Sequence, residues 1–174
     1  MFKKIALIVV AFFVIAGGSL FLIKGQDSYY ASKYSASVTN GLDVGSKINF
    51  TLPDQFDKTH TLDANTKVLI LSFAKSTGHM VKEFLETQNG SYLTDKNAYF
   101  VADIHKMPVV IRNTFAMPDL QKSAYPVVLI YDKAIADKIN FVDKADKVAV
   151  VTLNDGTIES VKYVSTPKEL QASL

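Results

Sequence analysis

The apolar positions of this chain fall into runs that alternate with amphipathic stretches from residue 43 to the end. Four continuous apolar runs are typical of strands buried on both faces of a sheet: 68–74, 98–104, 127–131 and 148–153. After the first run, apolar residues recur at helical spacing from Met80 to Leu85, and charged residues occupy the opposite face. Strands that alternate with helices in this way predict an α/β fold.

Hairpin signals stand at both ends of this region. Residues 47–52 alternate polar and apolar, Pro53-Asp54 stops that strand, and residues 56–62 return as a second short strand. Near the carboxyl terminus, Asn154-Asp155-Gly156 is a strong turn that joins the last apolar run to an antiparallel strand at 157–164. The terminal hairpin predicts a mixed central sheet.

Capping residues and prolines suggest where the helices begin and end. Ser76 or Thr77 can cap the first helix, since a hydroxyl satisfies free amide donors of the first turn. Pro108 suits the start of a later helix, which Met117-Pro118 is expected to break because proline has no N–H. Thr166 is placed to cap the last helix.

Residues 1–24 form a targeting or anchoring segment outside the folded domain. Lys3 and Lys4 precede nineteen uncharged residues, 5–23, whose length as a helix nearly matches a hydrocarbon core of about 30 Å. We expect one transmembrane helix with its amino terminus in the cytoplasm, because lysines before a span stay inside. In a bacterium this topology predicts a periplasmic domain tethered to the inner membrane. The alternative is a signal peptide cleaved near Ala16-Gly17-Gly18, which releases the protein into the periplasm.

Residues 25–42 show no sustained period of 2 or 3.6, which predicts a tether between the membrane and the domain. The tyrosines of this segment suit the lipid headgroups, where amphipathic rings are favoured. The alternative is a disordered spacer. The folded domain is then 43–174.

The composition excludes two classes of function. Nineteen Lys and Arg stand against seventeen Asp and Glu, for a formal net charge of +2, so we expect no nucleic-acid partner. The chain has no cysteine among its 174 residues. Disulfides, thiolate metal ligands and thiol catalysis are therefore excluded together.

The turn after the first apolar run is a candidate ligand site. A helix amino terminus offers free amide donors and a partial positive charge, and a lysine beside it favours an anion or a carboxylate. The alternative is an ordinary capped helix end. The candidate residues are Lys75, Ser76, Thr77, Gly78, His79 and Met80.

Two histidines and an aspartate form a candidate metal site. If the second apolar run lies beside the first, His79, His105 and Asp103 all emerge at the carboxyl edge of the sheet, where α/β folds place ligands. Such a set can hold zinc or copper. The alternative is that these are solvated loop side chains and that the protein has no metal or other cofactor.

Arg112 and His60 are two further candidate residues. Arg112 can bring a guanidinium to the same edge to bind a carboxylate, and an exposed helical arginine is the alternative. His60 lies in the amino-terminal hairpin with no evident partner in the sequence.

The segment 45–54, reading Gly-Ser-Lys-Ile-Asn-Phe-Thr-Leu-Pro-Asp, resembles the opening segment of the peroxiredoxin and TlpA-type branch of the thioredoxin-like superfamily. Residues 68–85, 125–132 and 148–156 continue the resemblance, which covers roughly 43–174. The stretch from Tyr125 onwards is also similar to the small YtfJ family of periplasmic thioredoxin-fold proteins. The resemblance implies a thioredoxin-like three-layer α/β/α sandwich around a mixed sheet.

Two departures from that superfamily bear on function. Redox members carry Cys-x-x-Cys where this chain reads Thr77-Gly78-His79-Met80, and a cis proline where it reads Asp146-Lys147. These two departures imply a scaffold of the same fold that is redox-inactive and has no catalytic residues. We expect a binding or assembly module with an unknown periplasmic protein partner. The alternative is a metal-handling protein or a non-thiol enzyme that uses the His/Asp cluster.

Overall fold

The fold is described from a computed structural model for residues 17–19, 21–139 and 144–174. A small antiparallel sheet comes first, with strand order β1-β2-β3. Its strands are β1 (Ser35–Val38), β2 (Ile48–Pro53) and β3 (Thr59–Thr61). Ile48, Phe50 and Leu52 are buried on one face of β2, as the alternating pattern predicts.

A five-stranded mixed sheet forms the centre of the molecule, in the order β6-β5-β4-β7-β8. Its strands are β4 (Val68–Ser72), β5 (Ala98–Asp103), β6 (Val127–Ile130), β7 (Val148–Asn154) and β8 (Thr157–Val164). β4, β5 and β6 are parallel, whereas β7 runs antiparallel to both β4 and β8. The predicted mixed sheet and its terminal hairpin are confirmed.

Five helices flank this sheet in the part of the chain described here. They are α1 (Lys75–Glu86), α2 (Tyr92–Asp95), α3 (Val109–Ile111, Arg112–Ala116 and Met117–Leu120 in succession), α4 (Lys133–Ile139) and α5 (Pro167–Ser173). The apolar side chains of β4 alternate between two cores. Leu69 and Leu71 pack with the small sheet and α4, whereas Ile70 packs with α1 and α5. The result is a three-layer arrangement around a sheet that is buried on both faces.

Helix α3 does not end at Met117-Pro118, contrary to the sequence prediction. Its central segment, Arg112–Ala116, is a π-helical turn in which the Met117 N–H bonds to the carbonyl of Arg112, five residues earlier. This wider turn shifts the hydrogen-bond register, so Pro118 falls in the first turn of the next helical segment, where its missing N–H costs little.

Helix α1 begins earlier than the two predicted caps. Ala74 is the N-cap residue, and Thr77 is the third residue of the helix. The Thr77 hydroxyl accepts a hydrogen bond of 3.2 Å from the Ala74 N–H and donates one of 2.8 Å to the Ala74 carbonyl. Thr77 therefore closes the first turn from inside the helix, because a hydroxyl at this position reaches back to the preceding backbone.

Part of the predicted tether is folded. β1 pairs with β2 and buries Ala36, and a short 3₁₀ turn occupies Ala31–Lys33. The ring of Tyr29 stacks on Tyr34 and on Tyr131, with centroid separations of 5.4 and 4.9 Å. The spacer prediction is wrong for these residues, because their order comes from long-range contacts that leave no periodic signal in so short a stretch.

The predicted membrane anchor, residues 1–24, lies largely outside the described residues, and the single-pass topology stays a prediction. Among residues 17–19, 21–139 and 144–174, no helix is long and apolar enough to cross a bilayer. Residues 17–19 and 21–24 are helical, and the side chains of Phe21, Leu22 and Ile23 are exposed.

Candidate functional site

A groove of about 860 Å³ opens where β4 and β5 end. Its lining comes from the first turns of α1, the loop after β5, helix α3 and the loop before β7. The lining residues are Ser72, Phe73, Ala74, Lys75, Ser76, Gly78, His79, Lys82, Phe100, Ala102, Asp103, Ile104, Lys106, Met107, Ile111, Phe115, Ala116, Asp119, Leu120, Val127, Ala145 and Asp146. We call this surface the groove; it is the carboxyl edge at which α/β folds bind ligands.

Apolar side chains form much of the groove. Phe73 and Ile104 are buried, whereas Ile111 and Phe115 on α3 expose 46% and 65% of their surface. Ile111 and Phe115 lie four positions apart on one helix and therefore point to the same side. Single exposed apolar residues are ordinary on protein surfaces, but a concave apolar lining with two exposed apolar residues beside it is typical of a binding site.

Charged residues line the groove beside this apolar surface. An ion pair between Lys82 on α1 and Asp119 on α3 joins the two helices. The hydrogen bond from Lys82, with a smaller contribution from Lys122, holds the pKa of the Asp119 carboxyl below its usual range. Lys75 and Lys106 also line the groove. Their ammonium groups can meet a carboxylate or backbone carbonyls of a bound chain.

The candidate ligand turn, residues 75–80, is divided between the groove and the core. Lys75, Ser76, Gly78 and His79 line the groove. Thr77 is buried, and its hydroxyl lies 3.0 Å from that of Ser72. Met80 packs against the core on the α1 side of the sheet. That this turn binds a ligand stays a prediction.

Two of the three proposed zinc or copper ligands are brought together, and the third lies apart from them. His105 turns back onto Asp103, with 2.7 Å between Nδ1 and Oδ1, and the His105 N–H also bonds to that carboxylate oxygen. His79 instead lies 3.2 Å from Glu83, one turn along its own helix. Within the described ranges, no group of three His, Cys, Asp or Glu side chains is arranged to hold a metal ion.

Arg112 is neither an exposed helical arginine nor a ligand of the groove. It is only 4% exposed, its Nη2 donates a 2.6 Å hydrogen bond to Asp27, and its guanidinium lies 4.8 Å from the ring centre of Tyr131. Sequence reasoning missed this role because Asp27 lies in the segment assigned to the tether. No local spacing connects the two residues.

The neighbouring phenols are held in their neutral form. Burial is the main cause that raises the pKa of Tyr29 to about 12 and the pKa of Tyr131 still further. Burial likewise raises the pKa of Tyr125, to about 12. At neutral pH these tyrosines are therefore neutral packing groups and not phenolate nucleophiles; Tyr125 and Tyr131 also donate hydrogen bonds, to the Lys82 carbonyl and the Met117 sulfur.

His60, which has no evident partner in the sequence, contacts a buried carboxylate. Its Nε2 lies 2.8 Å from Oδ2 of Asp54, while Oδ1 of Asp54 accepts hydrogen bonds from the N–H groups of Phe56 and Lys58. Asp54 is buried at the turn between β2 and β3. A carboxylate six residues before a histidine across a tight hairpin is a signal that could have predicted this pair.

Comparison with known proteins gives structural likeness only. No family model matches the chain, and no curated protein sequence matches it. A proposed protein disulfide isomerase from Bacteroides thetaiotaomicron is 18% identical, with a TM-score of 0.52 over 79% of this chain and 88% of that one. StoA from Bacillus subtilis is 13% identical, with a TM-score of 0.51 over 72% of this chain and 95% of that one. The chain therefore has a thioredoxin-like fold, in a form that contains no cysteine.

Proposed function

We propose that this protein is a redox-inactive thioredoxin-fold module that binds an extended apolar segment of a partner protein in the groove. The observation that carries the proposal is the groove itself, with Ile111 and Phe115 exposed at the site where redox relatives carry their cysteines. A chain without a thiol has no route to disulfide exchange. What remains at this site is a surface suited to binding.

The chemistry of the lining favours a peptide-like occupant. Burial of apolar surface contributes about 25 cal/mol per Å², so covering Ile111 and Phe115 is favourable. Lys75 and Lys106 supply donors for backbone carbonyls or a carboxylate of the segment. The mixture of an apolar lining with a few polar groups is characteristic of sites that orient a ligand as well as desolvate it.

We further propose that the module works on the periplasmic side of a bacterial inner membrane. The support is the uncharged stretch 5–23 behind Lys3 and Lys4, which matches a membrane span with a cytoplasmic amino terminus. The partner is then another protein of the cell envelope. Release into the periplasm after signal cleavage remains the alternative topology.

Site-specific photocrosslinking of the full chain in cells of the source organism tests the proposed binding. A photoreactive phenylalanine derivative replaces Lys106, which is exposed and lines the groove. The matched control carries the same group at Val44, which is 71% exposed, beside Gly45, whose N–H bonds to Ile158 at the opposite edge of the sheet. We expect discrete protein adducts from position 106 only.

The adducts must also depend on the groove being open. The substitution Ala74→Phe places a large ring among the lining residues and is expected to remove the adducts formed at position 106. The proposal is wrong if positions 106 and 44 capture the same proteins, or if filling the groove leaves the adducts unchanged.

A further inference from the structure

Helix α3 forms one wall of the groove but contributes little to the core. Of its residues 109–120, all of which the structure describes, only Arg112 is buried. Met117 and Leu120, near the carboxyl end of the helix, are partly buried and pack against the core on the α1 side of the sheet. Apolar packing therefore fixes the carboxyl end of α3 better than its amino-terminal half.

Polar contacts also hold the carboxyl end of α3 to the rest of the domain. The ion pair between Asp119 and Lys82 joins it to α1. The buried side-chain amide of Gln55 donates a hydrogen bond of 3.4 Å to the carbonyl of Leu120, and Gln121 donates one of 3.1 Å to the carbonyl of Gln55. This end of the helix is attached to both α1 and the turn after β2.

The amino-terminal half of α3 is held instead by residues 24–29, which we call the entry segment. The side-chain amide of Asn113 donates hydrogen bonds of 2.9 Å to two carbonyls of this segment, those of Lys24 and Gln26. One side chain of the helix thus fixes the backbone of the entry segment at two points.

Arg112 makes the second attachment. Its Nη2 donates a hydrogen bond of 2.6 Å to Oδ1 of Asp27, and its guanidinium lies 4.8 Å from the ring centre of Tyr131. Tyr131 also stacks on Tyr29, so the entry segment contacts both the cation and the ring beside it. Because a buried cation without its carboxylate is unfavourable, loss of the entry segment favours movement of Arg112 towards water.

A π-helical turn, Arg112–Ala116, separates the two ends of α3. Such turns are rare and are found frequently at functional sites. Asn113 lies two positions from both Ile111 and Phe115, which corresponds to about 200° of rotation around a helix. The entry segment and an occupant of the groove therefore contact opposite faces of α3 and do not compete for the same surface.

We infer that the entry segment controls binding in the groove. Docked on α3, it holds Ile111 and Phe115 in place as the groove wall. Its release lets the amino-terminal half of α3 move about the π-helical turn, and binding in the groove weakens. The inference rests on the proposed function and adds its regulation. Because coupling between two binding sites is reciprocal, an occupant of the groove also favours docking of the entry segment.

The chain has no cysteine, so pairs of nitroxide spin labels can be attached without removal of native thiols. One pair, at Glu83→Cys on α1 and Phe115→Cys on α3, measures the distance between these helices by pulsed electron paramagnetic resonance. A reference pair, Glu83→Cys with Lys133→Cys, measures the distance from α1 to α4. All three positions are exposed. In the full chain in detergent, we expect Asp27→Ala and Asn113→Ala to broaden the α1–α3 distance distribution only.

The control Glu159→Ala removes an exposed carboxylate from β8 and should change neither distribution. An unchanged α1–α3 distribution in both Asp27→Ala and Asn113→Ala overturns the inference. Equal broadening of the reference distribution overturns it as well, because the entry segment then stabilises the whole fold and not the position of α3.

Photocrosslinking from position 106 connects this movement to binding. We expect Asp27→Ala to lower the yield of adducts several-fold and Glu159→Ala to leave it unchanged. A parent chain that forms no adducts at position 106 contradicts the proposed function, and the inference fails with it. A parent chain that forms adducts whose yield Asp27→Ala leaves unchanged overturns the inference alone.

Discussion

Arg112 and Asp27 are 85 positions apart in the chain, yet Nη2 of Arg112 lies 2.6 Å from Oδ1 of Asp27. The same guanidinium lies over the ring of Tyr131, which in turn stacks on Tyr29. The residues just after the predicted anchor are therefore built into the domain. The folded unit therefore begins before residue 43, the boundary that the sequence predicts.

Replacement of Arg112 by methionine is expected to lower the free energy of unfolding by roughly 1–3 kcal/mol, since it removes a buried hydrogen-bonded cation and leaves Asp27 only partly solvated. Urea unfolding of the full chain in detergent, followed by circular dichroism, measures the change. The control Lys133→Met alters a basic residue whose side chain is 73% exposed, and should cost less than about 0.5 kcal/mol. Equal effects of the two substitutions would contradict a structural role for Arg112.

Asp54→Ala is expected to destabilise the fold by about 2–4 kcal/mol, because it removes the acceptor of two backbone N–H groups and the partner of His60 in a buried turn. Urea unfolding of the full chain, followed by circular dichroism, measures this change as well. Asp137→Ala, which changes an exposed aspartate on α4, serves as the control and should fall within about 0.5 kcal/mol of the parent. If Asp54→Ala behaves like that control, the contacts around Asp54 do not stabilise the turn.

Ala74→Phe is expected to block the groove while leaving the fold intact. Ala74 lines the groove in an extended backbone conformation that a larger residue can adopt, so the cost in stability should not exceed about 1 kcal/mol. Photocrosslinking from position 106 and urea unfolding measure the two effects separately. Ala124→Phe makes the same change at an exposed position outside the lining. Loss of crosslinks with both variants would show that the effect does not come from the groove.

The ion pair between Lys82 and Asp119 is expected to make a small contribution to stability that depends on pH. Because the pKa of Asp119 is lowered in the folded protein, its contribution is present above the usual aspartate pKa of about 3.9 and is lost as the pH falls through the folded value. Asp119 is half exposed, so Asp119→Asn should cost less than about 1 kcal/mol at neutral pH.

Urea unfolding of the parent and of Asp119→Asn, compared at about pH 7 and about pH 2, measures this contribution. The difference between the two proteins should vanish at the lower pH. A second comparison in the Lys82→Met background tests the pairing, since Asp119→Asn should then have little effect at either pH. A difference that persists in acid would assign the effect of Asp119 to something other than its charge.

Local patterns in the sequence were sufficient to predict the strands and turns of the central sheet. The apolar run that contains Val68–Ser72 and the turn at Asn154-Asp155-Gly156 specify their structures through side-chain periodicity and backbone preference alone. The same holds for the last helix, where Thr166 accepts a hydrogen bond from the Glu169 N–H and the Glu169 side chain bonds back to the Thr166 N–H. Each of these signals lies within a few residues of the structure that it predicts.

One local rule failed because a neighbouring turn compensated for it. Pro118 predicts the end of a helix, but the π-helical turn at Arg112–Ala116 moves the hydrogen-bond register so that the proline begins a new segment. Arg112, buried against Tyr131 and bonded to Asp27, lies at the start of that turn. A proline removes one backbone hydrogen bond from a helix. The packing around the helix decides whether that bond is required.

The α/β architecture, the mixed sheet and the absence of thiol chemistry could all be predicted from the sequence, because periodicity and composition are properties of the chain that need no knowledge of its path in space. Which polar groups meet depends instead on the three-dimensional packing. His105 turns to Asp103 and away from a shared metal site, His60 finds Asp54, and the groove forms where α1, α3 and the ends of β4 and β5 converge. These relationships depend on how elements far apart in the chain pack together, and side-chain identity does not encode that packing locally.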